Sequence, residues 1–90
     1  MNNIFDIKNK VAIVTGAGSG IGKDAAISYA SMGANLALFG RTKSKLENVK
    51  KELEKYNVDI LLVECDITNE DSVKNAVDEV IKHYNRIDIL

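Results

Sequence analysis

Four short apolar runs recur along the chain: VAIV at residues 11–14, LALF at 36–39, ILLV at 60–63 and IDIL at 87–90. The first three are continuous rather than alternating, which is typical of strands buried on both faces of a parallel sheet. The segments between the runs carry apolar residues at helical spacing. Strands and helices therefore alternate, and the pattern predicts repeated β-α-β units.

Two of the predicted helices have a clear apolar face. The face of the second helix consists of Leu46, Val49, Leu53 and Tyr56. The face of the third consists of Val73, Ala76, Val77, Val80, Ile81 and Tyr84. Ser44, followed by Glu47, predicts a capping box at the start of the second helix. Thr68 or Asn69 is a candidate N-cap for the third helix, and the first helix is expected over residues 21–32.

The last apolar run has no turn, polar flank or helix behind it. A parallel sheet needs both faces and most of its edges covered, which three helices cannot do for an open fourth strand. We therefore expect residues 1–90 to be the N-terminal part of a single domain, truncated at its fourth strand.

Composition and charge argue against several functional classes. The net charge of −1 over 90 residues gives no reason to expect a nucleic-acid partner or a polybasic membrane contact. No apolar run approaches the roughly 20 residues of a membrane-spanning helix, and MNNIFDIKNK lacks the apolar core of a secretory signal. The single cysteine, Cys65, cannot form an internal disulfide or a cysteine-rich zinc site. We expect a cytoplasmic protein with no metal site.

The glycine-rich stretch VTGAGSGIGKD, after the first strand, fits one of two phosphate-binding patterns. A triphosphate loop needs a glycine and a magnesium-binding hydroxyl where this chain has Ala17 and Asp24. A dinucleotide loop fits, since Gly16, Gly20 and Gly22 supply the tight turn, the close approach of backbone to pyrophosphate, and close helix packing. The stretch therefore predicts a dinucleotide cofactor, with a glycine-rich turn that holds no ligand as the alternative.

The segment TGAGSGIG, residues 15–22, resembles the Thr-Gly-x-x-x-Gly-x-Gly loop of the classical short-chain dehydrogenases/reductases. KVAIVTG, GANLALFGR, ECDIT and RIDIL resemble the same family in the same order, so the resemblance covers essentially the whole chain. It implies an α/β fold of the Rossmann type, a doubly wound parallel sheet in three α/β/α layers with strand order 3-2-1-4 in this half. It also implies an oxidoreductase that transfers a hydride between a nicotinamide and an alcohol or carbonyl substrate.

The resemblance assigns cofactor-binding roles to individual residues. The loop that holds the adenosine ribose and pyrophosphate in the family matches Gly16, Ser19, Gly20, Ile21 and Gly22. Asp66 and Ile67 match the positions that hydrogen-bond and pack the adenine. A structural alternative for Asp66 is capping of the helix that follows it.

The end of the second strand bears on the choice between NAD and NADP. Members that prefer NAD carry an acid there, which accepts the ribose hydroxyls, whereas this chain has Gly40 followed by Arg41 and Thr42. An acid would repel the 2′-phosphate of NADP, while glycine leaves room and arginine offers a charged partner. We therefore expect NADP(H) to be preferred, with NAD(H) as the alternative.

A second cation for the 2′-phosphate is not evident from the sequence. NADP-using relatives often carry a basic residue where this chain has Ser19. Lys43 or Lys45, which follow the second strand, is the alternative source of such a charge, but each is expected to be solvated. Arg41 itself has a structural alternative as a surface charge.

Catalysis is expected to lie outside these 90 residues. The family's Asn-Asn-Ala-Gly segment, catalytic serine and Tyr-x-x-x-Lys motif would all follow Leu90, and neither Tyr29 nor Tyr56 has a lysine four residues later. No catalytic residue is assigned, and the chain alone is expected to be inactive. The alternative function is a non-catalytic fragment that binds a nucleotide or a partner.

The sequence contains little information about the substrate. The opening NIFDIKNKVAIVTGAG is mildly similar to members that act on sugar acids or polyols, and ketoacyl thioesters and steroids stay open. Members of the family usually form dimers or tetramers, so the complete protein is expected to be a homo-oligomer.

Overall fold

The computed structural model describes residues 7–18 and 20–89. Strands and helices alternate along the whole described chain. The elements are β1 (Val11–Thr15), α1 (Gly20–Ser31), β2 (Asn35–Gly40), α2 (Lys43–Leu53), a 3-10 turn (Glu54–Tyr56), β3 (Ile60–Glu64) and α3 (Glu70–Tyr84). None of the described helices is long and apolar enough to cross a membrane.

The three strands form one parallel sheet with β2 in the middle. The Lys10 carbonyl accepts from the Asn35 N–H on the β2 side, so the next carbonyl of β1 points to the opposite edge. On that edge Ile89 makes a parallel bridge to Ala12, and the Ile13 N–H donates to the Ile89 carbonyl at 2.9 Å. The segment around Ile89 therefore lies where the predicted order 3-2-1-4 requires the fourth strand.

The sheet separates two apolar clusters, which accounts for the continuous apolar run of β2. Leu36 and Leu38 belong to the cluster that contains the buried residues of α1 and α2. Ala37 and Phe39 point the other way, into the cluster that contains the buried residues of α3. Because successive side chains of a strand alternate between faces, a strand covered on both faces must be apolar at every position. The predicted three-layer α/β/α fold of the Rossmann type is confirmed.

The ends of two helices test the capping predictions. Asn69 is the N-cap of α3, and its side-chain oxygen accepts from the Ser72 N–H at 3.1 Å, as predicted. The capping box at Ser44 is wrong, because α2 begins at Lys43 and its N-cap is Thr42, which makes no side-chain cap hydrogen bond. The backbone is still extended at residue 42, so Ser44 already lies inside the first helical turn.

The apolar face of α3 is narrower than predicted. Ala76 and Val80 are buried against the sheet, and Tyr84 packs at the edge of the same cluster. Ile81, which the helical spacing assigned to this face, is 47% exposed. A helix that packs on a sheet by one stripe leaves residues at the margin of that stripe open to solvent.

Candidate cofactor-binding cleft

The candidate site lies at the carboxyl edge of the sheet. Because β1, β2 and β3 are parallel, their ends at Thr15, Gly40 and Glu64 meet at one edge. An open cleft of about 240 Å³ lies there, and ligands of open α/β sheets bind outside this edge. Residues that line it include Gly16, Gly18, Arg41, Thr42, Lys45 and Ile67.

The loop after β1 turns sharply at Gly16. This residue has a φ of +61°, in the left-handed region that glycine adopts without steric cost. The next residue anchors the loop to the neighbouring strand, since the Ala17 N–H donates to the Phe39 carbonyl at 3.2 Å. The loop is therefore held over the end of the sheet, with its backbone facing the cleft.

Gly22 permits α1 to approach the end of β1 closely. A Cβ atom at this position would overlap the backbone carbonyl oxygens of Gly16 and Thr15. The close packing of helix on strand that the sequence predicts for this glycine is present. It brings the N-terminal turn of α1, with the positive end of its dipole, against Gly16, which lines the cleft.

Lys23 follows the last glycine of the loop, where a triphosphate-binding lysine would stand. Its ammonium nitrogen lies 2.7 Å from a carboxylate oxygen of Glu52 on α2, and this ion pair joins two helices. The Lys23 ammonium is thus paired with a carboxylate between α1 and α2, and the triphosphate interpretation has no support from the structure.

The second rim of the cleft is formed by the start of α2. A Cβ atom on Gly40 would come within 2.9 Å of a methyl group of Leu46, so the absence of a side chain lets α2 close over the end of β2. Arg41 is exposed and lines the cleft from this side. Its guanidinium can therefore reach an anion in the cleft.

The structure distinguishes Lys45 from Lys43, the other lysine that the sequence offered as a second cation. Lys45 is exposed, as expected, and it also lines the cleft, where its Cβ would lie 3.1 Å from a Cβ built on Gly18 of the opposite rim. Among the described residues it has no ion-pair partner. Its position in the sequence indicates this placement. Lys45 lies in the first turn of the helix that follows β2, and side chains of a helix point towards its N-terminus, here towards the carboxyl end of β2.

Asp66 lies in an adjoining cleft of about 350 Å³ that shares Arg41 and Cys65 with the first. Its Oδ1 atom accepts from the Thr68 hydroxyl at 2.6 Å and from the Thr68 N–H at 3.0 Å. The same oxygen lies 3.5 Å from a guanidinium nitrogen of Arg41. The Thr68 hydroxyl, the Thr68 N–H and the Arg41 charge lower the pKa of this carboxyl below its usual 3.8, so it is ionised at neutral pH.

The structure also decides how α3 begins. Asp66 is not its N-cap, since Asn69 has that role. The Asn69 N–H donates to the Asp66 carbonyl and closes a turn between the two residues. The Asp66 N–H in turn donates to the Ser72 hydroxyl at 3.0 Å. Asp66 therefore organises the turn before the helix and leaves its carboxylate at the edge of the cleft.

The predicted residues occupy three places around this edge. The first cleft contains Gly16, Arg41, Thr42 and Ile67, and the adjoining cleft contains Asp66. Gly20, Ile21 and Gly22 form the first turn of α1, where the side chain of Ile21 is 88% exposed. Ser19 lies outside the described residues. Besides Lys45, Gly18 and the buried Cys65 line the first cleft without having been predicted to do so.

The donor chemistry of the site suits an anionic nucleotide rather than a metal ion. Within residues 7–18 and 20–89, no group of three or more His, Cys, Asp or Glu side chains could hold a metal. The cleft instead has the cations of Arg41 and Lys45 in its lining, and the N-terminus of α1 follows the glycine loop on its other side. Such a combination binds phosphate.

Comparison with known protein families supports this interpretation. The family model of the short chain dehydrogenases matches residues 10–90. A curated relative, the 12alpha-hydroxysteroid dehydrogenase of Clostridium sp., is 47% identical over 94 residues, which cover 97% of this chain and 36% of the relative. The chain spans 24% to 36% of the length of eight curated relatives that it matches.

Solved structures agree with the fold and show what such folds bind. A short-chain type dehydrogenase/reductase from Mycobacterium marinum has a TM-score of 0.90 at 35% identity, over 94% of this chain and 34% of that one. An alcohol dehydrogenase from Thermococcus sibiricus, complexed with 5-hydroxy-NADP, has a TM-score of 0.87 at 31% identity, over 91% and 36%.

A third solved structure contains the other nicotinamide dinucleotide. It is a short chain dehydrogenase/reductase from Burkholderia phymatum in complex with NAD, with a TM-score of 0.87 at 28% identity, over 93% of this chain and 30% of that one. Neighbours of this fold thus bind NAD or NADP. With the family model, the relative and the fold in agreement, the chain belongs to the short chain dehydrogenases, a family of oxidoreductases with a Rossmann-type nucleotide-binding fold.

Proposed function

We propose that residues 1–90 form the NADP(H)-binding part of a single Rossmann domain in a short-chain dehydrogenase. The observation that carries the proposal is the cleft at the carboxyl ends of β1, β2 and β3. It combines a glycine loop on one rim with Arg41 and Lys45 on the other, and has Gly40 where an acid would repel a 2′-phosphate.

The loop and the first turn of α1 would hold the ribose and pyrophosphate. The residues concerned are Gly16, Ser19, Gly20, Ile21 and Gly22. Backbone N–H groups and the positive end of the helix dipole favour the pyrophosphate there. No side chain blocks the approach at the glycines.

The adenine would lie between the ends of β2 and β3. Ile67 is 60% exposed beside the first cleft, so its apolar surface is free to pack against a base. The Asp66 carboxylate can accept a hydrogen bond from the adenine amino group. Arg41 and Thr42 would meet the 2′-phosphate, with Arg41 as its charged partner.

When bound, the nicotinamide would supply the hydride chemistry of the complete protein. The described residues would bind and orient the cofactor through its adenosine half. The catalytic residues are proposed to follow Leu90 in the native polypeptide, and the isolated chain is proposed to be inactive. An intact mass near 9.9 kDa for the native polypeptide would instead favour a non-catalytic binding fragment.

The substrate is proposed to be an alcohol or its carbonyl counterpart. Sugar acids, polyols and ketoacyl thioesters are the candidates from the sequence. Steroids also stayed open from the sequence, and the name of the 47% identical relative supports including hydroxysteroids among the substrates to be assayed. A homo-oligomer in the cytoplasm stays part of the proposal for the complete protein.

The cofactor choice is tested by Arg41→Ala in the native polypeptide, with NADP and NAD titrated by calorimetry. We expect the affinity for NADP to fall about tenfold, since a charged hydrogen bond to phosphate is lost, and that for NAD to change less than about twofold. Lys74→Ala removes the same charge from an exposed position on α3 and serves as the control. Equal losses for the two cofactors with Arg41→Ala would rule out its 2′-phosphate role.

A further inference from the structure

Arg41 and Asp66 are paired with each other although each is proposed to contact the cofactor. The guanidinium follows β2, the carboxylate follows β3, and their closest atoms are 3.5 Å apart. Both residues line the adjoining cleft, so the pair stands beside the position proposed for the adenosine. Any 2′-phosphate that reaches Arg41 would therefore meet a guanidinium that already has an anionic partner.

The carboxylate is the fixed member of the pair. Two hydrogen bonds from Thr68 end on the oxygen that faces Arg41, and the Asp66 N–H is held by the Ser72 hydroxyl. Arg41, by contrast, makes a single long contact, and its side chain is 73% exposed. The arginine can thus leave the pair by rotation of its own side chain, while the acid stays in place.

The charged side chains around the pair differ in whether they have an ion-pair partner. Glu64 lines the same cleft as Arg41 and Asp66 but makes no ion pair within the described part of the chain. Lys45 lines the first cleft and is likewise unpaired there. Arg41 is therefore the cation whose charge is already partly balanced before a phosphate arrives.

We propose that Asp66 competes with the 2′-phosphate for Arg41 and thereby limits how strongly the cleft discriminates between 2′-phosphorylated and 2′-hydroxyl adenine nucleotides. The inference rests on the proposed function, because it takes Arg41 as the 2′-phosphate partner. It makes Asp66 a determinant of cofactor specificity in addition to its proposed contact with the adenine. Since exposed ion pairs are weak, the effect is modest, about two- to fivefold in relative affinity.

The test compares adenosine 2′,5′-bisphosphate with 5′-AMP, because both carry the adenine and only the first carries the 2′-phosphate. Affinities are measured by calorimetry on the native polypeptide and on Asp66→Asn, whose amide oxygen still accepts from Thr68. Contacts with the adenine affect both ligands alike and cancel in the ratio of the two affinities. We expect Asp66→Asn to raise the preference for the bisphosphate about two- to fivefold.

Two further variants separate competition from general charge effects. Glu64→Gln removes a charge from the same cleft without breaking the pair, and we expect the ratio to stay within about 1.5-fold of the parent. In an Arg41→Ala background, Asp66→Asn should no longer raise the ratio. An unchanged ratio in Asp66→Asn, an equal rise in Glu64→Gln, or a rise that persists without Arg41 would each overturn the inference.

The outcomes also distinguish this inference from the proposed function. If Arg41→Ala alone leaves the ratio of the two affinities unchanged, the 2′-phosphate role of Arg41 itself fails. If Arg41→Ala lowers the ratio but Asp66→Asn does not raise it, only the competition fails. Asp66→Ser, whose hydroxyl can also accept from Thr68, replaces Asp66→Asn if the latter does not fold.

Discussion

At the scale of single residues, the glycines of the loop have distinct physical roles. Gly22 is needed because any side chain would overlap the backbone of β1, whereas Gly16 is needed because its φ is positive. The spacing of the glycines was sufficient to predict both roles, since this loop joins a strand to a helix in only a few ways. Spacing could not predict that Gly18 faces Lys45 across the cleft, because that contact joins residues far apart in sequence.

We predict that Gly22→Ala abolishes cofactor binding, because α1 must move away from β1 to accommodate the methyl group. Gly16→Ala should be milder and cost about 1–2 kcal/mol of stability through backbone strain. Gly33→Ala is the matched control, since Gly33 also has a positive φ, +89°, but does not line either cleft. Thermal unfolding and NADPH fluorescence titration check these outcomes. Parent-like binding by Gly22→Ala would show that the loop does not hold the pyrophosphate.

At the scale of elements, the strands were the most predictable parts of the chain. Each strand is covered on both faces, so its apolar run is unbroken and stands out from the flanking loops. The start of α2 was not predictable from local residues, because Ser44 and Glu47 satisfy a capping pattern that the backbone does not use. The helix begins earlier, at Lys43, because the chain turns immediately after Gly40 to cover the end of β2.

The first turn of α2 offers a matched pair of lysines. Both Lys43 and Lys45 are exposed in this turn, but of these two lysines only Lys45 lines the cleft. We predict that Lys45→Ala weakens binding of NADP about three- to tenfold and reduces its dependence on salt, because one cation near the phosphate is lost. Lys43→Ala should change the affinity less than about twofold. Equal effects of the two substitutions, measured by calorimetry at two salt concentrations, would contradict a specific role for Lys45.

At the scale of the whole molecule, α3 is attached to the sheet by contacts that the sequence did not reveal. The Tyr84 hydroxyl donates to the Leu36 carbonyl at 2.7 Å, and His83 lies 3.1 Å from a carboxylate oxygen of Asp59. The helical spacing predicted that Tyr84 packs inward, but not that its hydroxyl would reach β2. The same limit applies to the pair of Arg41 and Asp66. The sequence predicted that both residues follow strands of one parallel sheet, but not that their side chains would contact each other.

The attachment of α3 leads to a prediction for alkaline pH. Burial, together with the nearby Asp59 carboxylate, raises the pKa of Tyr84 above its usual 10.0. The folded state thus keeps a proton that the unfolded state releases, so the contribution to stability is complete below pH 10 and is lost as the pH rises towards the folded-state pKa. Tyr84→Phe should lose about 1 kcal/mol at neutral pH with the hydrogen bond.

Thermal unfolding between about pH 9 and pH 11 measures the difference between parent and variant. We expect the midpoint of the parent to fall more steeply across this interval than that of Tyr84→Phe, which has no phenol to titrate. Parallel curves would show that Tyr84 titrates alike in the folded and unfolded states.

The most direct test of the cofactor-binding cleft is a calorimetric titration of the native polypeptide with NADP and, separately, with NAD. The proposed site predicts that both dinucleotides bind at one site per chain, and that NADP binds about tenfold more tightly because Arg41 and Lys45 face its 2′-phosphate. Tighter binding of NAD would contradict the cofactor assignment. No binding of either dinucleotide would contradict the site itself.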